Sequence, residues 1–248
     1  MSLRAHCAKQ PPIDRKVLNQ IKLLFNHRNF LRRIKHPPHS NIFFLLLSSF
    51  LLFSCSTTLT PATPQLVSVY STSAAEPWLP ALYDCSGTSV VISRVDDPST
   101  ADIVLRMGEP KVLTSSAYQI DSEDILIVTH RQSPVQNLTL EGARALFAGQ
   151  GDPSVQVWVY SSGADVQEVF DQFVMAGLSV ASSARIAVTP QQMSDTLVNE
   201  SNTVGILPRH WKAGNDREVF SVGTVPVLAM TQSESRGVVK ELIACLQK

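Results

Sequence analysis

The sequence predicts an α/β protein with a buried, largely parallel sheet, preceded by a leader that is no part of the fold. Three observations carry this. Short apolar runs alternate with helical patterns from residue 65 onward, as strands do when helices cover them. Two of those runs lead through a small-residue turn into a helix, at Ser71-Thr72-Ser73 and at Ser161-Ser162-Gly163-Ala164. Upstream, residues 42–53 run without a charge and end in Ser54-Cys55.

That apolar run is short for a membrane span, which needs roughly 20 residues. It fits the apolar core of a secretory signal. Leu52-Phe53-Ser54-Cys55 resembles a bacterial lipobox, which implies lipid transfer to the Cys55 thiol and cleavage before it. A buried core helix with an incidental cysteine is the alternative. Residues 1–54 are therefore read as a basic arm and lipoprotein signal peptide. Nine of the chain's 21 basic residues lie in residues 1–41 against one acid, Asp14, so the remainder carries a net charge of −8. An acidic domain argues against nucleic acid, whose binding rests on Lys and Arg neutralising phosphates. In the arm, Val17, Leu18, Ile21, Leu24 and Phe25 have helical spacing. They read either as an amphipathic helix on anionic lipid or as sequence upstream of the true start.

Residues 55–64 form a lipidated cysteine and a Ser/Thr/Pro tether. Residues 65–70 are the first strand, and Glu76-Pro77 after the Ser71-Thr72-Ser73 turn starts a helix. Strands follow at 89–95 and 101–107, the latter ending at Gly108-Glu109-Pro110, with shorter β segments at 117–120 and 124–129. Thr139 caps the next helix, with Leu140, Ala143, Leu146 and Phe147 as its apolar stripe and Gly149 as its stop. Residues 155–160 (V-Q-V-W-V-Y) are a strand. The turn at Ser161, Ser162, Gly163 and Ala164 lets a ligand approach the backbone and leads to a helix whose buried face is Val166, Val169, Phe170, Phe173 and Val174. Segments 185–188, 204–208, 219–222 and 225–230 complete the strands. Residues 191–197 and 235–246 are helical.

Cys7 leaves with the leader and Cys55 takes lipid, so Cys85 and Cys245 remain. Outside the cytoplasm an even remainder suggests a disulfide; two buried free thiols are the alternative.

Four stretches together resemble the type 2 solute-binding proteins of ABC transporters, in their phosphate-binding-like branch. Ser133-Pro134-Val135-Gln136-Asn137-Leu138-Thr139 leading to Leu146-Phe147-Ala148-Gly149 is similar to that family's N-P-V-x-N-L-T…I-F-x-G. Ser162-Gly163-Ala164 sits at its S-G-T, Val204-Gly205-Ile206-Leu207 at its A-I-G-Y strand, and Val225-Pro226-Val227 at its Y-P-L return. The resemblance implies a two-lobed type 2 periplasmic-binding-protein fold. Each lobe would be a mixed, mostly parallel sheet flanked by helices, and hinge strands would join the two. Lobe one would be about 65–122 and 215–248, and lobe two about 123–214. Cys85 and Cys245 would then share lobe one. A small ligand would be held by Ser71, Thr72, Ser73, Ser161, Ser162, Gly163 and Ala164, with Glu109 as an approximate acidic acceptor. The family's phosphate binders usually carry an Arg four residues before the Ser of S-G-T; that position is Trp158, and the Thr is Ala164. A dianion needs charge-assisted donors, so phosphate is disfavoured. Trp158 and Tyr160 read as core, or as a stacking surface for a flatter ligand.

Enzyme signatures are absent from the sequence: there is no G-x-S-x-G, no H-E-x-x-H or C-x-x-C, and no phosphate loop. The expectation is a non-enzymatic, monomeric binding protein without a cofactor, lipid-anchored on the extracytoplasmic face of the membrane. An ABC permease would be its partner, or, with a degenerate cleft, it would be an envelope adaptor or sensor.

Overall fold

β-Branched residues dominate the strands of the fold, as a buried pleated surface favours. The structure, a computed structural model, describes residues 63–248; the leader, Cys55 and most of the tether lie outside them. Its strands are β1 (Gln65–Ser71), β2 (Val90–Arg94), β3 (Ile103–Met107), β4 (Ser116–Thr129), β5 (Gln156–Tyr160), β6 (Arg185–Ala187), β7 (Thr203–Pro208) and β8 (Arg217–Thr231). The helices are α1 (Leu79–Ser86), α2 (Leu140–Phe147), α3 (Asp165–Phe170), α4 (Pro190–Asn199) and α5 (Gly237–Leu246).

The strands form one eight-stranded mixed sheet in the order β2-β1-β3-β8-β4-β7-β5-β6. β1 pairs in parallel with β2 and β3, and β5 in parallel with β6 and β7. Between these parallel groups run β4 and β8, antiparallel to each other from Ser116↔Thr231 to Thr129↔Arg217. β3 pairs only with the C-terminal part of β8, and β7 only with the C-terminal part of β4. Two α/β lobes therefore share a single strand pair, which crosses between them near residues 121–124 and 224–227.

The short β segments expected at 117–120 and 124–129 are thus one 14-residue strand, and those at 219–222 and 225–230 are one of 15 residues. At the crossing Asp121, Ser122 and Thr224 are exposed, which interrupts the apolar pattern. The pairing register shifts between Gln119 and Asp121, so one residue bulges there.

Each helix covers the sheet with the face its spacing dictates. In lobe one, Leu82 of α1 and Leu242 and Ile243 of α5 are buried with Val67, Val69, Ile103 and Leu105. Cys85 and Cys245 join those two helices through a disulfide, their Cα atoms 5.9 Å apart. In lobe two the Thr139 hydroxyl caps α2 by accepting from the Gly142 N–H at 3.1 Å. Phe147 of α2 meets Phe170 of α3 at a ring separation of 4.6 Å. Met193 of α4 lies so close to β7 that a Cβ on Gly205 would collide with its sulfur. One expected core residue is not in the core. The chain widens into a π-turn over Asp171–Met175, which swings Phe173 off the buried stripe and leaves it 50% exposed.

Candidate functional site

The segments at the C-terminal ends of β1 and β3 in lobe one and of β5 in lobe two meet at the junction between the lobes, the kind of place where ligands of open α/β sheets bind. From lobe one comes the turn after β1. Its Thr72 N–H donates to the Leu105 carbonyl at 3.0 Å. The Thr72 side chain also accepts from the Ala75 N–H at 3.3 Å. Ala74 and Ala75 are buried, while Ser71, Thr72 and Ser73 are half-buried. The Ser71 hydroxyl is turned back onto its own chain, donating to the Thr72 carbonyl at 3.0 Å. From lobe two comes the turn after β5, closed by an Ala164 N–H to Ser161 carbonyl bond of 2.9 Å. Ser161, Ser162 and Gly163 are exposed and Ala164 half-buried. Glu109, just past the end of β3, is also exposed.

The residue that joins the two turns is Asp165, which follows Ala164 and opens α3. Its carboxylate crosses the lobe junction. Oδ2 accepts from the Thr72 hydroxyl at 2.6 Å and from the Met107 N–H at 2.9 Å. Oδ1 accepts from the Val166 N–H at 2.9 Å. Asp165 is only 4% exposed, and a buried carboxylate is tolerable only with such a set of donors. Three further contacts close the same seam. Arg106 of β3 pairs with Glu168 of α3 at 2.8 Å. Trp211 donates its indole N–H to the Ala74 carbonyl at 3.1 Å. Gly108 leaves β3 with φ +66°, so close to α3 that a Cβ would stand 2.7 Å from Cγ2 of Val169.

Tyr160 and Trp158 both pack inside lobe two. The Tyr160 hydroxyl donates to the Ile206 carbonyl at 2.9 Å. Burial, and then the neighbouring Asp165 charge, push its phenol well above the usual tyrosine range. Trp158 is 9% exposed and carries the Arg185 guanidinium over its ring at 5.6 Å. Neither ring offers a free face for a flat ligand.

At the strand crossing, Glu123 is buried and accepts from the His210 backbone N–H at 2.8 Å. The His210 ring contacts the same carboxylate through Nδ1 and leans on Trp78 of lobe one, with ring centroids 4.8 Å apart. Trp78 in turn donates its indole N–H to Asp121 at 2.9 Å. Arg209 and Thr224 both donate to Asp124, at 2.9 and 2.5 Å, and hold that carboxyl below the usual aspartate range, Thr224 most strongly. Among the described residues no group of three or more His, Cys, Asp or Glu side chains is arranged to hold a metal ion.

Asp165, Met107, Arg106 and Glu168 escape a reading of the sequence. An aspartate at a helix start reads as an ordinary favourable partner of the helix dipole, and a backbone amide has no sequence signature. The one available signal is the acid placed directly after Ser-Gly-Ala, where the resembled family has S-G-T.

No family model matches the chain, and no curated protein aligns with it significantly. Solved structures do match. A putative phosphate ABC transporter substrate-binding protein with bound phosphate from Clostridium perfringens aligns over 73% of this chain and 93% of its own, with TM-score 0.65 and 15% identity. An ABC-type phosphate transport receptor from Vibrio cholerae covers the same shares with TM-score 0.57 and 16% identity. The CcmR regulatory domain of Synechocystis in complex with 2-PG aligns over 74% of this chain and 96% of its own, with TM-score 0.57 and 9% identity. The chain has the type 2 periplasmic-binding-protein fold, a frame common to those substrate-binding proteins and regulatory domains.

Proposed function

We propose that this protein is a membrane-anchored, extracytoplasmic solute-binding protein that engages a small molecule between its lobes and presents it to an ABC permease. The observation that carries the reading is the meeting of the β1 and β5 turns at the lobe junction, where Thr72 of one lobe and Asp165 of the other come within 2.6 Å. Cys55 would hold the lipid. The disulfide between Cys85 and Cys245 suits an oxidising compartment outside the cytoplasm. A free oxyanion such as phosphate fits poorly, because a buried carboxylate stands at the junction and no arginine precedes Ser162 at the Trp158 position.

A second reading, an envelope adaptor or sensor that transports nothing, draws on the same carboxylate: the donors that a ligand would use are already engaged. The experiment is a thermal-shift panel of oxyanions, amino acids and sugars on the full chain. A ligand at 100 times its Kd stabilises the folded state by about 2.7 kcal/mol, which raises Tm by several degrees. At least one compound should do so. A panel with no response overturns the transport reading in favour of the adaptor.

A further inference from the structure

We propose that Asp165 is an internal ligand of the interlobe site, and that its carboxylate bars external oxyanions from a latent site formed by the Thr72 hydroxyl and the Met107 amide. The proposal rests on the reading of the lobe junction as a ligand site, and it assigns what decides the ligand class there.

Three observations support it. First, the two donors converge on one oxygen, Oδ2, from positions 93 and 58 residues away in sequence. An O–H and an N–H aimed at a single anionic oxygen are the donors that an oxyanion takes up in a protein site. Second, the carboxylate is 4% exposed, so an incoming phosphate or sulfate would share a low-dielectric space with a fixed negative charge. Like charges at such separations repel strongly. Third, the cation beside this site is already committed: Arg106, next to Met107, is paired with Glu168 at 2.8 Å, with both side chains largely shielded from solvent. An oxyanion would have to displace Asp165 from its donors and would find Arg106 already neutralised. The β1–β3 face of lobe one thus keeps the donors of an oxyanion site, while lobe two supplies the anion from its own chain.

A simple staple between the lobes would show the same contacts, so the test must read anion binding rather than stability alone. Inorganic phosphate and inorganic sulfate are titrated into the full chain as wild type, Asp165→Ser, Asp165→Asn and the Asp165→Ser/Thr72→Val pair. Binding is followed by calorimetry and by Tm, with hydrogen exchange at the Met107 amide as a local readout. Wild type should show no saturable binding up to about 10 mM, where even a millimolar site would register in Tm. Asp165→Ser should gain phosphate or sulfate binding by at least about tenfold, a change that one lost charge repulsion readily supplies. The added Thr72→Val should remove the gain. The Met107 amide should exchange faster in Asp165→Ser and slow again when phosphate is added.

A folded Asp165→Ser protein that gains no anion binding overturns the proposal, as does a wild type that binds phosphate as tightly as the variant. Should Asp165→Ser fail to fold, Asp165→Ala also vacates both donors, and the absence of any phosphate-dependent rise in its Tm is equally fatal; Asp165→Asn, whose amide oxygen still accepts from Thr72 and Met107, reports the effect of the charge alone. Failure of the underlying reading looks different. A variant that gains phosphate while wild type answers to no compound of the panel supports the internal ligand and sinks solute capture.

Discussion

Replacing Gly108 with alanine should measure how hard the two lobes press on each other. Gly108 holds φ at +66° while its N–H donates to the Pro226 carbonyl at 2.8 Å, so the backbone is pinned in the left-handed region. An alanine there carries a backbone cost of about 1–2 kcal/mol. Its Cβ would also stand 2.7 Å from Cγ2 of Val169 on the other lobe, and overpacking of this kind costs about 1–3 kcal/mol. The expected loss is therefore about 2–5 kcal/mol. For a domain of this size each kcal/mol lowers Tm by about 2–4 °C. The two contributions separate in a double-mutant cycle with Val169→Ala, which deletes the opposing methyl and leaves the backbone cost intact. Urea unfolding of the four proteins should give a coupling energy of about 1–3 kcal/mol in favour of the pair. If the two substitutions add to within about 0.5 kcal/mol, Gly108 and Val169 are not in contact across the seam, and the closed junction is refuted with them.

Two further predictions concern the frame. The disulfide closes a loop between positions 160 residues apart, and the chain-entropy relation puts its removal at about 5 kcal/mol. The Cys85→Ser/Cys245→Ser double variant should show that loss as a lowered urea midpoint with a steeper slope, since the uncrosslinked chain unfolds to a more expanded state, and an unchanged midpoint would refute the loop-closure account. Tyr160→Phe removes a buried hydrogen bond to the Ile206 carbonyl and should cost about 1–2 kcal/mol at neutral pH. Because the folded phenol is raised above the unfolded one, the unfolded state binds fewer protons above about pH 10, and stability should fall as pH rises past that point. The Phe variant should show a shallower alkaline decline; an identical one would mean that Tyr160 ionises freely.

Much of the frame was legible because the central strands are buried on both faces and stand as uninterrupted apolar runs, as at 125–128 and along Thr203–Pro208. What escaped lies where one environment passes into another. At the crossing, Ser122 and Thr224 face solvent, and the two longest strands each look like two short ones. Phe173 keeps helical spacing in the sequence, but the π-turn adds a residue to the turn and rotates it outward. The candidate site was half legible. The small-residue turns announce themselves by composition, and Thr72 does face the other lobe. Asp165 did not, because its role depends on the Met107 amide and the Thr72 hydroxyl, which only the tertiary fold brings to it.

The shared β4–β8 pair also sets an order of assembly. Its first and last partners, Ser116↔Thr231 and Thr129↔Arg217, join positions roughly a hundred residues apart, and pairings of such long range are slow to form. β3 has its antiparallel neighbour only in β8, so the first lobe to be synthesised is the last to be completed. Residues 65–115 emerge with an open sheet edge and must wait for β8. The second lobe, whose strands β5, β6 and β7 and helices α2 to α4 are contiguous, is the expected nucleus on contact order alone, which predicts φ-values near zero in β1 and β2.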